Sequence, residues 1–421
     1  MRRVLLLMKY HQNAHILSTY SADTFGVCSA LFELGGMIVM HDPSGCNSTY
    51  TTHDEPRWYE QDSLIFISAL NEQDAVLGRD DKFVQDVIDS AMQFRPRFIC
   101  IIPSQIAFLI GTDMKALAHI IANRTGIPCF TLPTNSMHYY ERGIFYALEW
   151  LAKQAVQQHV PLQKPARKGT RSLNILGVTP LDFSPDSVSS LRQWALNAGF
   201  TLQSCWAVGE SLDTILSSTN ACVNLVVSYG GLGAARVLQE AIGIPYVIGT
   251  PIGALRSLLA EALKRSADDQ HIRAPFLSGH PIELPVQAMT AGTADNPAAR
   301  PNQMKKNAQL LVGESICTQS LAFALEREGA EHWQTIVPVE TESSLLLPDT
   351  MQLTDETDLQ PAFRVADKVL ADPMYEPIIP TRYGVSFIRL PHAGFSGRLY
   401  QKEIPDLIST KGFQHLRKKI K

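Results

Sequence analysis

The chain has little net charge, and that scarcity excludes more than any single motif does. Thirty-seven Lys and Arg against 41 Asp and Glu over 421 residues leave a formal charge of −4. A nucleic-acid surface needs a concentrated basic footprint. The only basic clusters, Lys164–Arg171 and Arg417–Lys421, read as solvated linker and tail, so no nucleic-acid partner is expected. No apolar run approaches the ~20 residues of a membrane span, so no membrane partner is expected either. Met1–Lys9 carries two arginines and only five apolar residues, with no small-residue cleavage site after them. An export signal needs a longer core, so the segment reads as a strand, Val4–Met8, of a cytoplasmic protein. Seven widely spaced cysteines, an odd number, argue against a disulfide framework. P-loop, C-x-x-C, H-E-x-x-H, G-x-S-x-G and EF-hand patterns are all absent, so this chain hydrolyses no nucleotide by the P-loop route.

What is present is alternation: short apolar runs separated by amphipathic stretches, the pattern of parallel strands joined by crossover helices. Strands are expected at Val4–Met8, Met37–Met40, Leu64–Ile67, Phe98–Ile102 and Cys129–Leu132, with helices at Phe25–Leu34, Asp81–Phe94, Met114–Arg124 and Glu141–Gln158. After a Pro-rich basic linker, Pro161–Arg171, strands follow at Leu173–Val178, Thr201–Val208, Leu225–Ser228 and Tyr246–Gly249. Beyond a polar segment, Ala291–Gln303, a third group lies at Gln309–Gly313, Trp333–Val339, Val369–Ala371 and Val385–Leu390. Thr125-Gly-Ile-Pro128 and Ile242-Gly-Ile-Pro245 sit between helix and strand. There glycine supplies the left-handed helix stop and proline forbids continuation. The fold class is therefore α/β, with three consecutive Rossmann-like domains of mostly parallel sheet at 1–165, 172–300 and 305–421, each expected to own its core.

The cysteines divide by position. Cys100, Cys129, Cys205, Cys222 and Cys317 fall inside strand or helix patterns and read as core. Cys46 ends His41-Asp-Pro-Ser-Gly-Cys46, directly after a strand, at the carboxyl end where open α/β sheets place ligands. Gly45 leaves room for a bulky group beside the thiol, and thiolate is the ligand of iron–sulfur clusters. A purely structural role is the alternative. Cys28 sits on a helical stretch, as either core or a second ligand. Two ligands per chain cannot complete a four-thiolate site, whereas a two-fold dimer pairing Cys28 and Cys46 from each protomer can. His11 and His15, four apart, read as a solvated loop rather than a metal pair. Gly231-Leu-Gly233-Ala-Ala-Arg236 departs from the dinucleotide fingerprint at Arg236, and its glycines suggest close approach of a ligand to a helix N-terminus.

The stretch from Phe25-Gly-Val-Cys28 to Pro43-Ser-Gly-Cys46 resembles the cysteine-ligand segment of nitrogenase component 1 subunits. In order after it come Asn71-Glu-Gln-Asp74-Ala-Val-Leu-Gly78, Pro103 to Ile110-Gly-Thr-Asp113, Leu225-Val-Val-Ser-Tyr229 with Gly243-Ile-Pro245, and Gly313-Glu-Ser315. Of three cluster cysteines in the family only Cys46 matches; the first falls near Ser21 or Ala22 and the third on Gln105. The cofactor-anchoring cysteine falls on Ser228, whose hydroxyl is a poor ligand for soft iron–sulfur sites, so dinitrogen reduction is excluded. The resemblance implies a nitrogenase-like component 1 oxidoreductase subunit with an iron–sulfur cluster of the 4Fe-4S type. It also implies homodimeric or heterodimeric assembly, electrons from a separate ATP-dependent iron–sulfur reductase, and an unidentified small-molecule substrate between domains. Metal ligands would be Cys46 and Cys28, with Gly45 and Ser228 beside the cofactor and His392, His138 and Tyr229 as proton donors. His53, Arg57, Tyr139, Glu141 and Arg142 are further cleft candidates. A non-catalytic scaffold or carrier for a metal cofactor is the alternative function.

Overall fold

The computed structural model describes residues 16, 19, 21–45, 47, 55–159, 171–278, 307–379 and 384–421. Among them, three sheets follow one another along the chain. The first contains β1 (Met37–His41), β2 (Leu64–Ile67), β3 (Ile99–Pro103) and β4 (Cys129–Thr131) in the order β2-β1-β3-β4. The second contains β5 (Arg171–Leu176), β6 (Phe200–Cys205), β7 (Val223–Val226) and β8 (Tyr246–Ile248) in the order β6-β5-β7-β8. In the third, β9 (Ala308–Val312), β10 (Trp333–Val337), β11 (Met351–Gln352), β12 (Ala366–Ala371) and β13 (Ser386–Arg389) are ordered β11-β10-β9-β12-β13. Every pairing is parallel.

The expected strands agree with these to within a few residues at the ends. Val4–Met8, residues 161–170 and the segment 291–303 lie outside the described residues. The two-residue β11 was not expected, being too short to carry a periodic signal. β1 and β3 are buried at every position, which is why they read as unbroken apolar runs rather than alternating ones. In each sheet the strand order reverses once, between β1 and β3, β5 and β7, and β9 and β12. Each reversal opens a crevice at the carboxyl ends of its strands.

The helices that position the site are α1 (Asp23–Leu31), α2 (Asp80–Phe94), α3 (Met114–Thr125), α4 (Tyr140–Gln157), α5 (Leu232–Ile242) and α6 (Ser315–Arg327). Gly126 and Gly243 end α3 and α5 in the left-handed conformation, at φ 70° and 81°, as the Gly-Ile-Pro turns require. The expectation of one core per domain is corrected: a single apolar cluster runs through the first and second sheets, from Phe25 and Ile38 to Val247 and Phe276. The cause is α4, which packs on both α1 and α5 and so joins the two layers.

Where α1 and α4 cross, the backbones nearly touch. A Cβ on Gly26 would overlap the Tyr140 carbonyl oxygen, and one on Gly143 the Asp23 carbonyl oxygen. Backbone cannot yield as a flexible side chain does, so Gly143→Ala is expected to lower unfolding free energy by about 1–3 kcal/mol, read from chemical denaturation. An exposed-face control, Ser90→Ala, is expected to leave it unchanged. Among the described residues no helix is long and apolar enough to cross a membrane.

Candidate functional site

The loop after β1 is held by a polar network centred on Asp42. One Asp42 carboxyl oxygen accepts from Ser104 Oγ at the end of β3, and the other from Asn47 Nδ2 at 2.7 Å. The Asp42 N–H donates to Ser68 Oγ at 3.1 Å, just beyond β2, and Thr24 Oγ1 on α1 lies 3.4 Å from Asn47 Oδ1. The ends of β1, β2 and β3 and the start of α1 are thereby tied to one loop, at the crevice of the first sheet. Cys46 and His53 lie outside the described residues. On either side of Cys46, Asn47 is buried and Gly45 is exposed, with no heavy atom within 4 Å of where a Gly45 Cβ would stand.

His41 opens this loop as a wall, not a ligand. Its Nδ1 bonds Ser68 Oγ at 2.9 Å, its ring lies 4.2 Å from that of Phe83 on α2, and burial lowers its pKa to about 4. Above pH 6.5 this shift has no effect on stability. As pH falls below that value the unfolded histidine takes up a proton that the folded one refuses, and stability is lost down to about pH 4. Wild type is therefore expected to lose about 3 kcal/mol relative to His41→Gln between pH 7 and pH 4 in paired denaturant titrations. A constant difference would place the titrating group elsewhere.

Arg57, expected near a cleft, is instead a buried anchor. Its Nε donates to Glu55 at 2.6 Å, and its two terminal nitrogens donate to Glu33 and to the Ser29 carbonyl oxygen, each at 2.7 Å. The guanidinium stacks 4.5 Å over Phe32. Cys28 is likewise inside: it has no exposed surface, belongs to the apolar cluster, and burial drives its thiol pKa up. A thiolate ligand needs the opposite environment. Every residue of α1 is buried in the single chain, Cys28 among them. Among the described residues no group of three or more His, Cys, Asp and Glu is placed to hold a metal ion.

The other predicted residues gather about the N-terminus of α4. His138 Nδ1 bonds Glu340 Oε1, Arg142 Nε lies 3.3 Å from Glu340 Oε2, and an Arg142 terminal nitrogen donates to the Tyr229 hydroxyl at 3.3 Å. Tyr229 stacks on Phe145, and burial raises its hydroxyl to about 12, leaving it protonated. His392 stands apart from this trio. Its Nδ1 accepts the Gly394 N–H at 3.2 Å, which puts the ring proton on Nε2, 3.3 Å from Asp182 Oδ1. Tyr140 donates to the same Asp182 oxygen at 2.6 Å. Backbone bonds Ser21 N to Gly394 O, Gly394 N to Leu181 O and Tyr140 N to Ser21 O close this junction, to which residues near all three sheets contribute. Asp182, Glu314 and Glu340 were missed in the sequence. Only Glu314 carried a signal, as the side chain capping α6 through the Cys317 N–H at 2.8 Å.

Ser228 has no exposed surface and donates its hydroxyl to the Gly177 carbonyl oxygen at 2.7 Å across the second crevice. The glycines after it serve packing, not ligand approach. A Cβ on Gly231 would lie 2.5 Å from the Leu176 backbone, and one on Gly233 would lie 2.9 Å from the Phe145 ring, while Arg236 is paired to Glu342. The short helices after β2 and β3, by contrast, leave Val76, Leu77, Phe108, Leu109 and Ile110 exposed.

Comparison with known proteins gives concordant results. The model of the nitrogenase component 1 type oxidoreductase family matches residues 24–271. One subunit of the light-independent protochlorophyllide reductase of Prosthecochloris aestuarii is 27% identical over 220 residues, 51% of this chain and 39% of that protein. The CfbD component of the Ni-sirohydrochlorin a,c-diamide reductive cyclase complex of Methanothermobacter thermautotrophicus is 26% identical over 126 residues, 28% and 33% of the two chains. The matched region thus spans less than half of either relative. The solved structure of nitrogenase Cp1 at pH 6.5 superposes with a TM-score of 0.64 over 97% of this chain and 93% of that one at 13% identity, a likeness of fold.

Proposed function

The chain belongs to the nitrogenase component 1 type oxidoreductase family, and from that premise we propose that it is a reductase subunit whose Cys46 thiolate helps to hold an iron–sulfur cluster shared with a partner chain. The observation that carries this is the Cys46 loop: it hangs from the crevice of the first sheet on a network tying three strands and α1. Among the described residues nothing crowds the Gly45 Cα, and the short helices after β2 and β3, the strands flanking β1, carry exposed apolar side chains. Those side chains suit burial against a second subunit, either another copy or a similar chain, which would supply the remaining thiolates. A cluster held there supplies one-electron chemistry at low potential, with electrons coming from a separate ATP-dependent iron–sulfur reductase.

The substrate, a small molecule other than dinitrogen, would lie toward the three-sheet junction. Ser228 offers a hydroxyl already committed to Gly177 rather than a thiolate, which supports the exclusion of dinitrogen. His138 and Tyr229 are tied through Glu340 and Arg142, so they orient a polar group as a unit, and His392 presents its Nε2 proton beside Asp182. The test is strictly anaerobic purification with iron and sulfide counts, EPR after reduction, and turnover with an ATP-dependent reductase. Brown protein with a reducible cluster is expected, and colourless, iron-free protein would sink the reading. One observation favours a second reading, a scaffold for a metal cofactor. The position of the third cluster cysteine is the exposed Gln105, and Cys28 is core. A reducible cluster that never turns over with any reductase would select that reading.

A further inference from the structure

Three buried carboxyl groups meet behind His392; the reading above uses only Asp182, as the partner of His392. Glu141 lies in the first turn of α4, Asp182 beyond β5 and Glu314 beyond β9. Glu141 has no exposed surface, Glu314 is 2% exposed and the Asp182 side chain 2%. Glu314 is fully engaged by the Tyr229 N–H at 2.9 Å, the Cys317 N–H at 2.8 Å and the Ser315 hydroxyl at 3.1 Å. Asp182 Oδ1 has Tyr140 and His392, while its Oδ2 has no partner. Both carboxyl oxygens of Glu141 lack a hydrogen-bond partner.

The titratable groups bearing on Glu141 are Asp182 and Glu314 from the neighbouring elements, Tyr140 beside it and Tyr375 across from it. None of these is a cation; His392, against Asp182, is the neighbouring group that can become one. Three carboxylates in a medium of low polarisability cannot all be ionised without a compensating charge. A proton must remain, and it costs least on Glu141, on whose anion only the Tyr140 hydroxyl and its own backbone N–H bear, neither closing a hydrogen bond. Beside the cluster a cavity of about 50 Å³, lined by Asp182, Glu314, Cys317 and His392 among others, is roomy enough for ordered water. Burial and the neighbouring carboxyls raise Glu141 well above the ordinary range and Glu314 to about 7.

We propose that Glu141 is a proton store at the three-sheet junction, a neutral carboxylic acid at physiological pH that releases its proton through Asp182 toward His392 and the adjoining cavity. Its use rests on the reductase reading; its existence does not. In use, the Glu141 O–H bond breaks and leaves the carboxylate. The proton ends on a substrate atom that has gained an electron from the ATP-dependent reductase, and a proton taken from bulk solvent, relayed by water in the cavity, refills the store.

Infrared spectroscopy of the full chain at about pH 8 tests this. The carbonyl stretch of a neutral carboxylic acid, sensitive to deuterium, is expected in the wild type and in Glu314→Gln and is expected to vanish in Glu141→Gln. Should Glu141→Gln not fold, wild type labelled with carboxyl-¹³C glutamate is expected to show the band shifted, and label on aspartate to leave it in place. No neutral-carboxyl band at that pH, a band that survives Glu141→Gln, or a band that moves with aspartate label overturns the proposal. A band that behaves as expected in protein free of iron leaves the store standing and removes the redox reading alone.

Discussion

Replacing Arg57 with methionine is expected to lower the unfolding free energy by about 3–5 kcal/mol, the cost of leaving buried carboxylates without their cation. The guanidinium bonds Glu55 and Glu33, whose side chains are 0% and 7% exposed, and covers the ring of Phe32. Methionine keeps much of the apolar stem and its contact with Phe32, so the loss reports charge and hydrogen bonding rather than volume. In a chain of this size the melting temperature should fall by roughly 3–6 °C, read by calorimetry. The effect should also reach beyond the first sheet, because Glu33 accepts the Gly209 N–H at 2.6 Å from beyond β6. Adding Glu55→Gln to Arg57→Met removes one orphaned charge and is expected to recover part of the loss. Equal stability of wild type and Arg57→Met would mean that water already reaches this triad.

The layered plan was legible because its signals are local. An apolar run such as Phe98–Ile102 is what a strand buried on both faces must look like, and Gly126 and Gly243 stop helices by a conformation that glycine alone adopts without strain. The Cys46 loop was legible for the same reason, since a turn after a strand is a property of a few adjacent residues. What could not be read was which helix faces were free. α1 is buried on every side, and although its spacing to Phe25, Leu31 and Phe32 puts Cys28 on an apolar face, that spacing could not decide between core and ligand. Nor could the partners of polar residues be read. His138 finds Glu340, Tyr140 finds Asp182 and Tyr229 finds Glu314 at separations of 202, 42 and 85 residues. Such pairs leave no spacing rule behind, because they are set by how three sheets meet at the start of α4.

That meeting also explains the division of polar work. The first-sheet crevice carries the Asp42 network and the Cys46 loop, whereas the second and third crevices are closed by Ser228 on Gly177 and by Glu314 and Asp372. The second and third crevices contribute hydrogen bonds to the junction and, beside Glu314 and His392, a cavity of only about 50 Å³.

Substituting Cys46 with alanine is expected to abolish iron binding outright, while Cys28→Ala is expected to keep it. Both proteins would be prepared without oxygen and assayed for iron, sulfide and an EPR signal after reduction. The Cys46 side chain would be a direct ligand, and its loss removes the only thiolate this chain offers at the first crevice. Cys28→Ala removes a buried sulfur from the apolar cluster and leaves a small cavity, at a cost of about 1–2 kcal/mol in stability and none in iron. Cys46→Ser should bind iron weakly, because a neutral hydroxyl replaces a soft anionic donor. If the remaining thiolates come from a partner chain, iron content and dimer content should also fall together on dilution. Iron retained in Cys46→Ala would move the cluster, if there is one, to donors other than this loop, and iron lost in a stably folded Cys28→Ala would return Cys28 to the ligand set.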